Sequence, residues 1–154
     1  MSTKPHGEAT RFMVVDDDDI TARAIKRIMN EHNLADTLMV AVDGQDALEQ
    51  LDSCKLSDGS LPPFIIILDL KMPRMDGLEF LDRVRNDPIY HKLIIFVLTT
   101  SDAPRDVSRA YQKNIAGYVV KENLTDTIRN TITLLSYYTN IVVLPELSDH
   151  DHEA

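Results

Sequence analysis

The fold is decided by residues 64–77, whose sequence is Phe64-Ile-Ile-Ile-Leu-Asp69-Leu-Lys-Met-Pro-Arg-Met-Asp-Gly77. Five apolar residues run without interruption into one carboxylate, Asp69, and turn residues follow at Met72-Pro73 and Asp76-Gly77. An unbroken apolar run of this length predicts a strand buried on both faces, which is typical of a parallel sheet covered by helices. Asp69 is then placed at the carboxyl end of a central strand, where open α/β sheets bind their ligands.

The composition is that of one soluble globular domain of 154 residues, with 44% hydrophobic and 27% charged residues. The net charge of −9 argues against nucleic acid, which would need a basic patch, and against anchoring to anionic lipid. The single cysteine, Cys54, cannot form an internal disulfide, and no apolar stretch resembles a signal peptide or a membrane span. We therefore expect a cytoplasmic protein whose partners include neither nucleic acid nor membrane.

Five strands and five helices alternate along the sequence, as judged from apolar runs and helical spacing. The predicted strands are Phe12–Val15, Thr37–Val42, Phe64–Leu68, Ile94–Leu98 and Gly117–Val120. The predicted helices are Ile20–Glu31, Gln45–Leu51, Gly77–Arg85, a fourth capped by Ser101 or Asp102 with Val107, Ala110 and Tyr111 inward, and Leu124–Tyr138. This alternation predicts an α/β fold, in which a parallel sheet has right-handed crossovers.

The rest of the chain is predicted to lie outside these elements. Residues 1–9 are expected to be a loose lead-in, 10–139 the domain, and 140–154 an acidic, mobile C-terminal tail. The segment from Ser53 to Pro63 contains Gly59 and two prolines and is predicted to be a surface loop.

Several predicted strands end in side chains that can take part in chemistry. The first strand is followed by Asp16 and Asp17, the third by Asp69, the fourth by Thr99 and the fifth by Lys121. These side chains are expected to converge, because parallel strands end along one edge of a sheet. Carboxylates about 4 Å apart repel by roughly 4 kcal/mol at an effective dielectric constant of about 20, a penalty that a divalent cation removes. Their hard oxygens suit Mg²⁺, and a carboxylate beside a metal, a lysine and a hydroxyl can accept a phosphoryl group.

Four motifs resemble those of the response-regulator receiver domain, for which CheY is the standard example of the doubly wound fold. They are Val15-Asp16-Asp17, Leu68-Asp69-Leu70-Lys71-Met72-Pro73 with Asp76-Gly77, Leu98-Thr99, and Gly117-Tyr118-Val119-Val120-Lys121. The resemblance covers about residues 11–138. It implies a flavodoxin-like sheet of five parallel strands in the order 2-1-3-4-5, covered by five helices.

The resemblance also implies a role for each residue of the motifs. Asp69 is the phosphoacceptor, Mg²⁺ is held by Asp16, Asp17, Asp69 and the Lys71 backbone carbonyl, Thr99 and Lys121 bind the phosphoryl group, and Thr99 and Tyr118 form the switch. The aromatic ring of Tyr118 turns inward when Thr99 moves.

The implied function is that of a stand-alone response regulator in a two-component phosphorelay. A sensor histidine kinase or a phosphotransfer protein donates the phosphoryl group, and output comes through protein contacts, because only about 16 residues follow Tyr138. The chain is then a phosphoacceptor rather than an enzyme, with at most self-phosphorylation and slow autodephosphorylation. An isologous homodimer through the fourth helix, fifth strand and fifth helix is also expected.

Several further positions and segments bear on this resemblance. Glu122 stands where the family usually has proline, often in a cis peptide; because a cis bond before a non-proline residue costs about 3–4 kcal/mol, we expect a trans bond and a different loop. Lys71 and Ser101 occupy positions that tune acyl-phosphate hydrolysis in the family, and the sequence does not determine the lifetime. Residues 98–101, the loop before the third strand and Val143-Leu144-Pro145 also resemble single-domain regulators paired with bacterial phytochromes.

Two other function classes are weighed against this one. A Mg²⁺-dependent phosphohydrolase with an Asp nucleophile, of the haloacid-dehalogenase type, needs a second aspartate where this chain has Lys71, and it needs a cap domain. A flavodoxin-like cofactor binder needs a phosphate-binding loop after the first strand, where four aspartates would repel phosphate without metal. Of these four, Asp18 and Asp19 are interpreted as the acidic N-terminus of a helix, and Asp76-Gly77 as a turn.

Overall fold

A five-stranded parallel sheet forms the centre of the computed structural model, which describes residues 10–149. The strands are β1 (Arg11–Val15), β2 (Leu38–Ala41), β3 (Phe64–Leu68), β4 (Ile94–Thr99) and β5 (Gly117–Val120). Their order is β2-β1-β3-β4-β5, and all four pairings are parallel. This confirms the predicted α/β class and strand order. The predicted lead-in, residues 1–9, and the last five residues lie outside the described part of the chain.

Helices cover both faces of the sheet and divide the core in two. They are α1 (Asp19–Glu31), α2 (Gly44–Ser53), α3 (Gly77–Arg85), α4 (Pro104–Gln112) and α5 (Leu124–Ile141), with short 3-10 helices at Ala35–Thr37 and Tyr90–Lys92. Buried side chains of α1 and α5 pack in one core, and those of α2, α3 and α4 pack in the other. The chain is therefore doubly wound, as the alternation of strands and helices predicts.

Strand β3 contributes to both cores, which explains its unbroken apolar sequence. All five of its residues are buried, with Phe64, Ile66 and Leu68 in the core under α2, α3 and α4. Ile65 and Ile67 face the core under α1 and α5. Successive side chains of a strand point to opposite faces, so a strand covered on both sides needs no polar residue until it ends. Here the strand ends at Leu68, and Asp69 is the first polar residue after it.

Helix α4 differs from the prediction at its start and in its inward face. Neither Ser101 nor Asp102 caps it, because the N-cap is Ala103, whose side chain makes no capping hydrogen bond. The inward residues are Asp106 and Ala110, whereas Tyr111, predicted to face the core, is 50% exposed. An acidic residue takes an inward position here because a nearby hydroxyl satisfies its carboxylate, as described below.

The chain after α5 packs against the end of the sheet formed by the amino ends of the strands, opposite their carboxyl ends. Helix α5 continues to Ile141, and Leu144 and Leu147 beyond it are buried. The Leu61 amide donates a hydrogen bond of 2.8 Å to the Leu147 carbonyl, in an isolated antiparallel bridge. The predicted mobile tail therefore begins as an ordered segment, which also holds down the end of the 53–63 loop.

Candidate functional site

Three carboxylates meet at the carboxyl edge of the sheet. Asp16 and Asp17 follow β1 and Asp69 follows β3, and one oxygen from each lies within 4.8 Å of the others. The two strands are hydrogen-bonded in register, and the Asp69 amide donates to the Val15 carbonyl at 2.9 Å, so both strands end at the same level. Asp16 and Asp69 are buried, while Asp17 is exposed. The sheet thus brings together acids that are 52 residues apart in sequence.

Asp16 has a cationic partner, Lys121, which comes from the far edge of the sheet. Lys121 Nζ lies 2.7 Å from Asp16 Oδ2, and both side chains are almost completely buried. The Asp18 amide donates to Asp16 Oδ1 at 2.8 Å. The pKa of Asp16 is nevertheless raised, because burial and the nearby Asp69 charge outweigh the lysine and the backbone donor. The cluster is therefore short of positive charge, and its hard oxygen donors fit a divalent cation such as Mg²⁺.

Thr99, the last residue of β4, presents a buried hydroxyl without a partner. The residue is fully buried, and its Oγ1 has no hydrogen-bond partner among residues 10–149. Such groups are rare in folded proteins and cost about 1–3 kcal/mol when left unsatisfied. Next to it, the Lys121 amide donates to the Thr99 carbonyl at 2.8 Å, so the two residues are held side by side.

Tyr118 lies on β5 and reaches back toward β4. Its side chain is half-buried against the core under α2, α3 and α4, and its hydroxyl donates to the Ser101 carbonyl at 2.8 Å. Burial raises the pKa of Tyr118, and the charges of Asp106, Asp102 and Asp69 add to this effect. The Tyr118 side chain is therefore hydrogen-bonded to the segment that follows Thr99.

The loop that follows Asp69 is held tightly, although the side chain of Lys71 is not. Lys71 is two-thirds exposed, and its Nζ lies 3.8 Å from Asp106 Oδ2. The Gly77 amide donates to the Leu70 carbonyl at 3.0 Å, and a Cβ on Gly77 would lie 2.3 Å from the Asp69 carbonyl oxygen. Glycine is therefore required where the loop folds back. Metal binding by the Lys71 carbonyl stays a prediction.

Three aspartates near the site, which the sequence analysis did not assign to it, have structural roles. Asp18 is the N-cap of α1 and accepts from the Ile20 amide at 3.0 Å, while exposed Asp19 pairs with Arg23. Asp76 caps α3 in the same way, which agrees with its interpretation as part of a turn.

Two polar pairs near the site were not anticipated from the sequence. Buried Asp43 caps α2 and accepts both Nε and Nη2 of Arg74, at 2.7 and 3.1 Å. The second pair is the Ser101 hydroxyl and Asp106, 2.6 Å apart. The Asp-Gly at 43–44 repeats the capping pattern at 76–77 and was a usable signal for the cap, but nothing local predicts Arg74 as its partner.

Residues 12–133 match the family described as the response regulator receiver domain, which is most of the chain. The chain belongs to the response-regulator receiver family. Receiver domains are the phosphoacceptor modules of two-component signal transduction, so the phosphohydrolase alternative is not favoured. The Lys121–Glu122 bond is trans, as predicted, since no cis peptide occurs within residues 10–149.

The proteins to which this receiver domain is similar include a response regulator and a structure of a phytochrome response regulator. The response regulator Rcp1 of Synechocystis sp. is 28% identical over 135 residues, which cover 87% of this chain and 92% of Rcp1. The phosphorylated cyanobacterial phytochrome response regulator RcpA superposes with a TM-score of 0.77 at 23% identity, covering 90% of this chain and 99% of RcpA. The Mn²⁺-bound form of Rcp1 superposes with a TM-score of 0.71 at 24% identity, with the same coverage. These structures share the fold of this chain.

Within residues 10–149, none of the helices is long and apolar enough to cross a membrane.

Proposed function

We propose that this receiver domain is a stand-alone response regulator that accepts a phosphoryl group on Asp69 with the help of Mg²⁺. The observation that carries the proposal is the convergence of three carboxylates within 4.8 Å of one another, beside the buried amine of Lys121. The unpartnered hydroxyl of Thr99 supports it, because a phosphoryl oxygen would satisfy this donor.

Each residue of the site has a distinct part in this proposal. An oxygen of Asp69 attacks phosphorus as the bond to the donor nitrogen of a phosphohistidine breaks, which leaves an acyl phosphate. Asp16, Asp17, Asp69 and the Lys71 carbonyl would hold Mg²⁺, which when bound screens the attacking carboxylate from the incoming phosphoryl group. Lys121 and Thr99 donate to the phosphoryl oxygens. Slow attack by water on phosphorus breaks its bond to the Asp69 oxygen, which releases inorganic phosphate and returns the free carboxylate; this is the autodephosphorylation expected of the site.

The proposed phosphoryl donor is a sensor histidine kinase or a phosphotransfer protein. The similarity to Rcp1 and RcpA supports a bacterial phytochrome as the kinase, since RcpA is a phytochrome response regulator. The existence of a Mn²⁺-bound form of Rcp1 supports a divalent metal as part of the proposal. Action in the cytoplasm remains part of the proposal.

Output is proposed to pass through Thr99 and Tyr118 to the surface formed by α4, β5 and α5. When Thr99 turns to the phosphoryl group, the Ser101 carbonyl that holds the Tyr118 hydroxyl moves with it. Homodimerisation through α4, β5 and α5 is supported by exposed apolar side chains on both helices: Tyr111 on α4, and Leu134, Tyr137 and Ile141 on α5. Sedimentation that finds a monomer with and without a phosphoryl mimic would contradict the dimer.

The test of the proposal is chemical phosphorylation followed by mass spectrometry. Incubation with Mg²⁺ and acetyl phosphate should add one labile group of about 80 Da to the wild type and none to Asp69→Asn. Asp76→Asn is the matched control, because Asp76 caps α3 in the loop that follows Asp69 and should still form the adduct. An adduct that survives in Asp69→Asn, or none on the wild type, contradicts the proposal. Repeated turnover of a simple phosphoester would indicate a phosphohydrolase instead.

A further inference from the structure

The chain that leaves β2 contacts both segments that carry the proposed metal ligands. The Asp16 amide donates to the carbonyl of Ala41, the last residue of β2, at 3.0 Å. Two residues later, the buried carboxylate of Asp43 accepts Nε and Nη2 of Arg74 at 2.7 and 3.1 Å. Arg74 lies in the loop after β3, three residues beyond Lys71, whose carbonyl is a proposed Mg²⁺ ligand. The end of β2 and the start of α2 therefore connect the acids after β1 with the loop after β3.

Three further observations show that α2 fixes the tip of this loop. The amide of Gly44, the first residue of α2, donates to the Met75 carbonyl at 2.9 Å. A Cβ on Gly44 would lie 2.7 Å from Met75 Cγ, so a side chain at this position would displace Met75. Arg74 itself has a φ of 59°, a left-handed conformation that is uncommon for a residue other than glycine. Such a conformation persists only where the surrounding contacts hold it, and it occurs most often at functional sites.

The pair of Asp43 and Arg74 constrains the geometry of the loop more than it adds energy. Two nitrogens of one guanidinium donate to the two oxygens of one carboxylate, which fixes the orientation of Arg74 as well as its distance. The Asp43 side chain is 4% exposed and that of Arg74 is 59% exposed, so solvent screens part of the attraction. The base of the loop is closed separately, by the bond from the Gly77 amide to the Leu70 carbonyl. The guanidinium therefore acts on the part of the loop between Leu70 and Gly77, which contains Lys71.

We propose that Asp43 and Arg74 are positioning residues, which hold the loop after β3 so that the Lys71 carbonyl can bind the metal together with the three carboxylates. This inference rests on the proposed function. A carbonyl ligand is part of the backbone, so its position is set by the contacts that hold its loop. Groups that orient a metal ligand from behind raise the metal affinity without touching the ion.

Positioning and charge predict opposite effects of removing Arg74. Arg74 is a cation in a loop of an acidic site, so the loss of its charge alone should strengthen the binding of Mg²⁺. The loss of its contact with Asp43 should weaken that binding, because the loop that carries Lys71 is then less constrained. The sign of the change therefore separates the two effects.

The experiment measures the affinity for Mg²⁺ alone, without a phosphoryl donor. Because the chain has no tryptophan, binding is followed from the backbone amide resonances of Asp17 and Asp69 in ¹⁵N-labelled protein. Arg74→Asn removes the guanidinium, while asparagine tolerates the left-handed conformation. This variant should bind Mg²⁺ about tenfold more weakly than the wild type. The double variant Asp43→Asn/Arg74→Asn keeps the net charge and a residue that can cap α2, and its affinity should be close to that of Arg74→Asn, because both changes remove the same contact.

Arg23→Asn is the matched control, because Arg23 is an exposed arginine that pairs with Asp19 in the first turn of α1. It removes the same charge from the helix that follows the β1 acids, not from the loop, so its Mg²⁺ affinity should equal or exceed that of the wild type. A folded Arg74→Asn protein that binds Mg²⁺ as tightly as the wild type, or more tightly, overturns the inference alone. A wild type that binds no Mg²⁺ overturns the proposed function, and this inference with it.

If Arg74→Asn fails to fold, Arg74→Lys decides. Lysine keeps the positive charge, but its single ammonium group cannot donate from two nitrogens in the fixed geometry of a guanidinium. The Mg²⁺ affinity of Arg74→Lys should therefore fall although the charge is unchanged. An affinity equal to that of the wild type would overturn the inference.

Discussion

At the scale of single residues, the site combines groups that are each unfavourable in isolation. Asp16 is a buried carboxylate with a raised pKa, and Thr99 is a buried hydroxyl without a partner in the described chain. The order of the strand ends predicts that these residues meet, because each follows an apolar run. What the sequence could not show is their state: the burial of Asp16 and the lack of a partner for Thr99 depend on the packing around them.

The Thr99 hydroxyl should cost stability in the unphosphorylated protein. We expect Thr99→Val, which keeps the shape and removes the unsatisfied donor, to raise the free energy of unfolding by about 1 kcal/mol. It should also abolish phosphorylation-dependent partner binding. Urea unfolding measures the first effect and a binding assay with phosphorylated protein the second.

Thr131→Val is the control for this prediction. Thr131 is also buried, but its hydroxyl donates to the Thr127 carbonyl at 2.7 Å, so its removal should give no such gain. A Thr99→Val protein that is less stable than the wild type would show that the hydroxyl has a partner after all.

At the scale of elements, the loops at the two ends of the sheet are held by long-range polar contacts. Asp43 joins the start of α2 to the loop after β3 through Arg74, whose φ of 59° lies in the left-handed region. That conformation is uncommon for a residue other than glycine, so no local pattern predicts it. The inward position of Asp106 could not be predicted from the sequence for a related reason. Helical spacing places apolar residues inward, and only the position of Ser101 after folding explains an acid there.

The Asp43 contacts should stabilise the fold at neutral pH and lose their effect in acid. Burial raises the pKa of Asp43, but the Arg74 guanidinium and the backbone amides of the cap lower it more, so the net shift is downward. A lowered pKa means that the contribution is complete above the unfolded value of about 4 and disappears as the pH falls through the folded pKa. Asp43→Ala should therefore lower the free energy of unfolding at pH 7, and by progressively less as the pH falls below the unfolded value of about 4.

The control for Asp43→Ala is Asp76→Ala, which removes an N-cap that has no guanidinium partner within residues 10–149. Its cost should be about 1 kcal/mol, the usual value for a cap. Asp43→Ala should cost more than this at pH 7 in urea unfolding. Equal losses for the two variants would show that the Arg74 contact contributes no stability.

At the opposite end of the sheet, Arg85 fixes several chain segments through their carbonyls. Its guanidinium donates to the carbonyls of His91, Leu93, Lys113 and Asn114, at 2.7 to 3.1 Å. Burial lowers the pKa of Arg85, but an arginine stays charged in proteins. Arg85→Met should therefore lower the free energy of unfolding by about 2–4 kcal/mol, measured with urea. Arg83→Met, at an exposed position on the same helix, should change it little; similar losses would contradict the bonding role of Arg85.

At the scale of the whole molecule, the candidate site is separated by the length of the sheet from several contacts that stabilise the fold. The site groups lie at the carboxyl ends of the strands, while the segment after α5 and the contacts of Arg85 lie near their amino ends. The unbroken apolar runs of β3 and β4 predict the two-core architecture, since only a strand covered on both faces needs them. The ordered segment after α5 could not be predicted, because neither the apolar run at 141–144 nor Leu147, which stands alone beside acidic residues, shows where its side chains pack.

The substitution Leu147→Ala tests whether the segment after α5 affects the candidate site at the other end of the sheet. Leu147 is 1% exposed and pairs with Leu61 through a 2.8 Å backbone bond, so Leu147→Ala should cost about 2–4 kcal/mol in urea unfolding. Val143→Ala is the control, because Val143 is 63% exposed and its truncation should cost little. Both folded variants should still form the Asp69 adduct with acetyl phosphate, since neither residue contacts the carboxyl edge. If Leu147→Ala unfolds cooperatively but forms no adduct, then the two ends of the sheet are coupled, and the segment after α5 acts on the phosphoacceptor as well as on the fold.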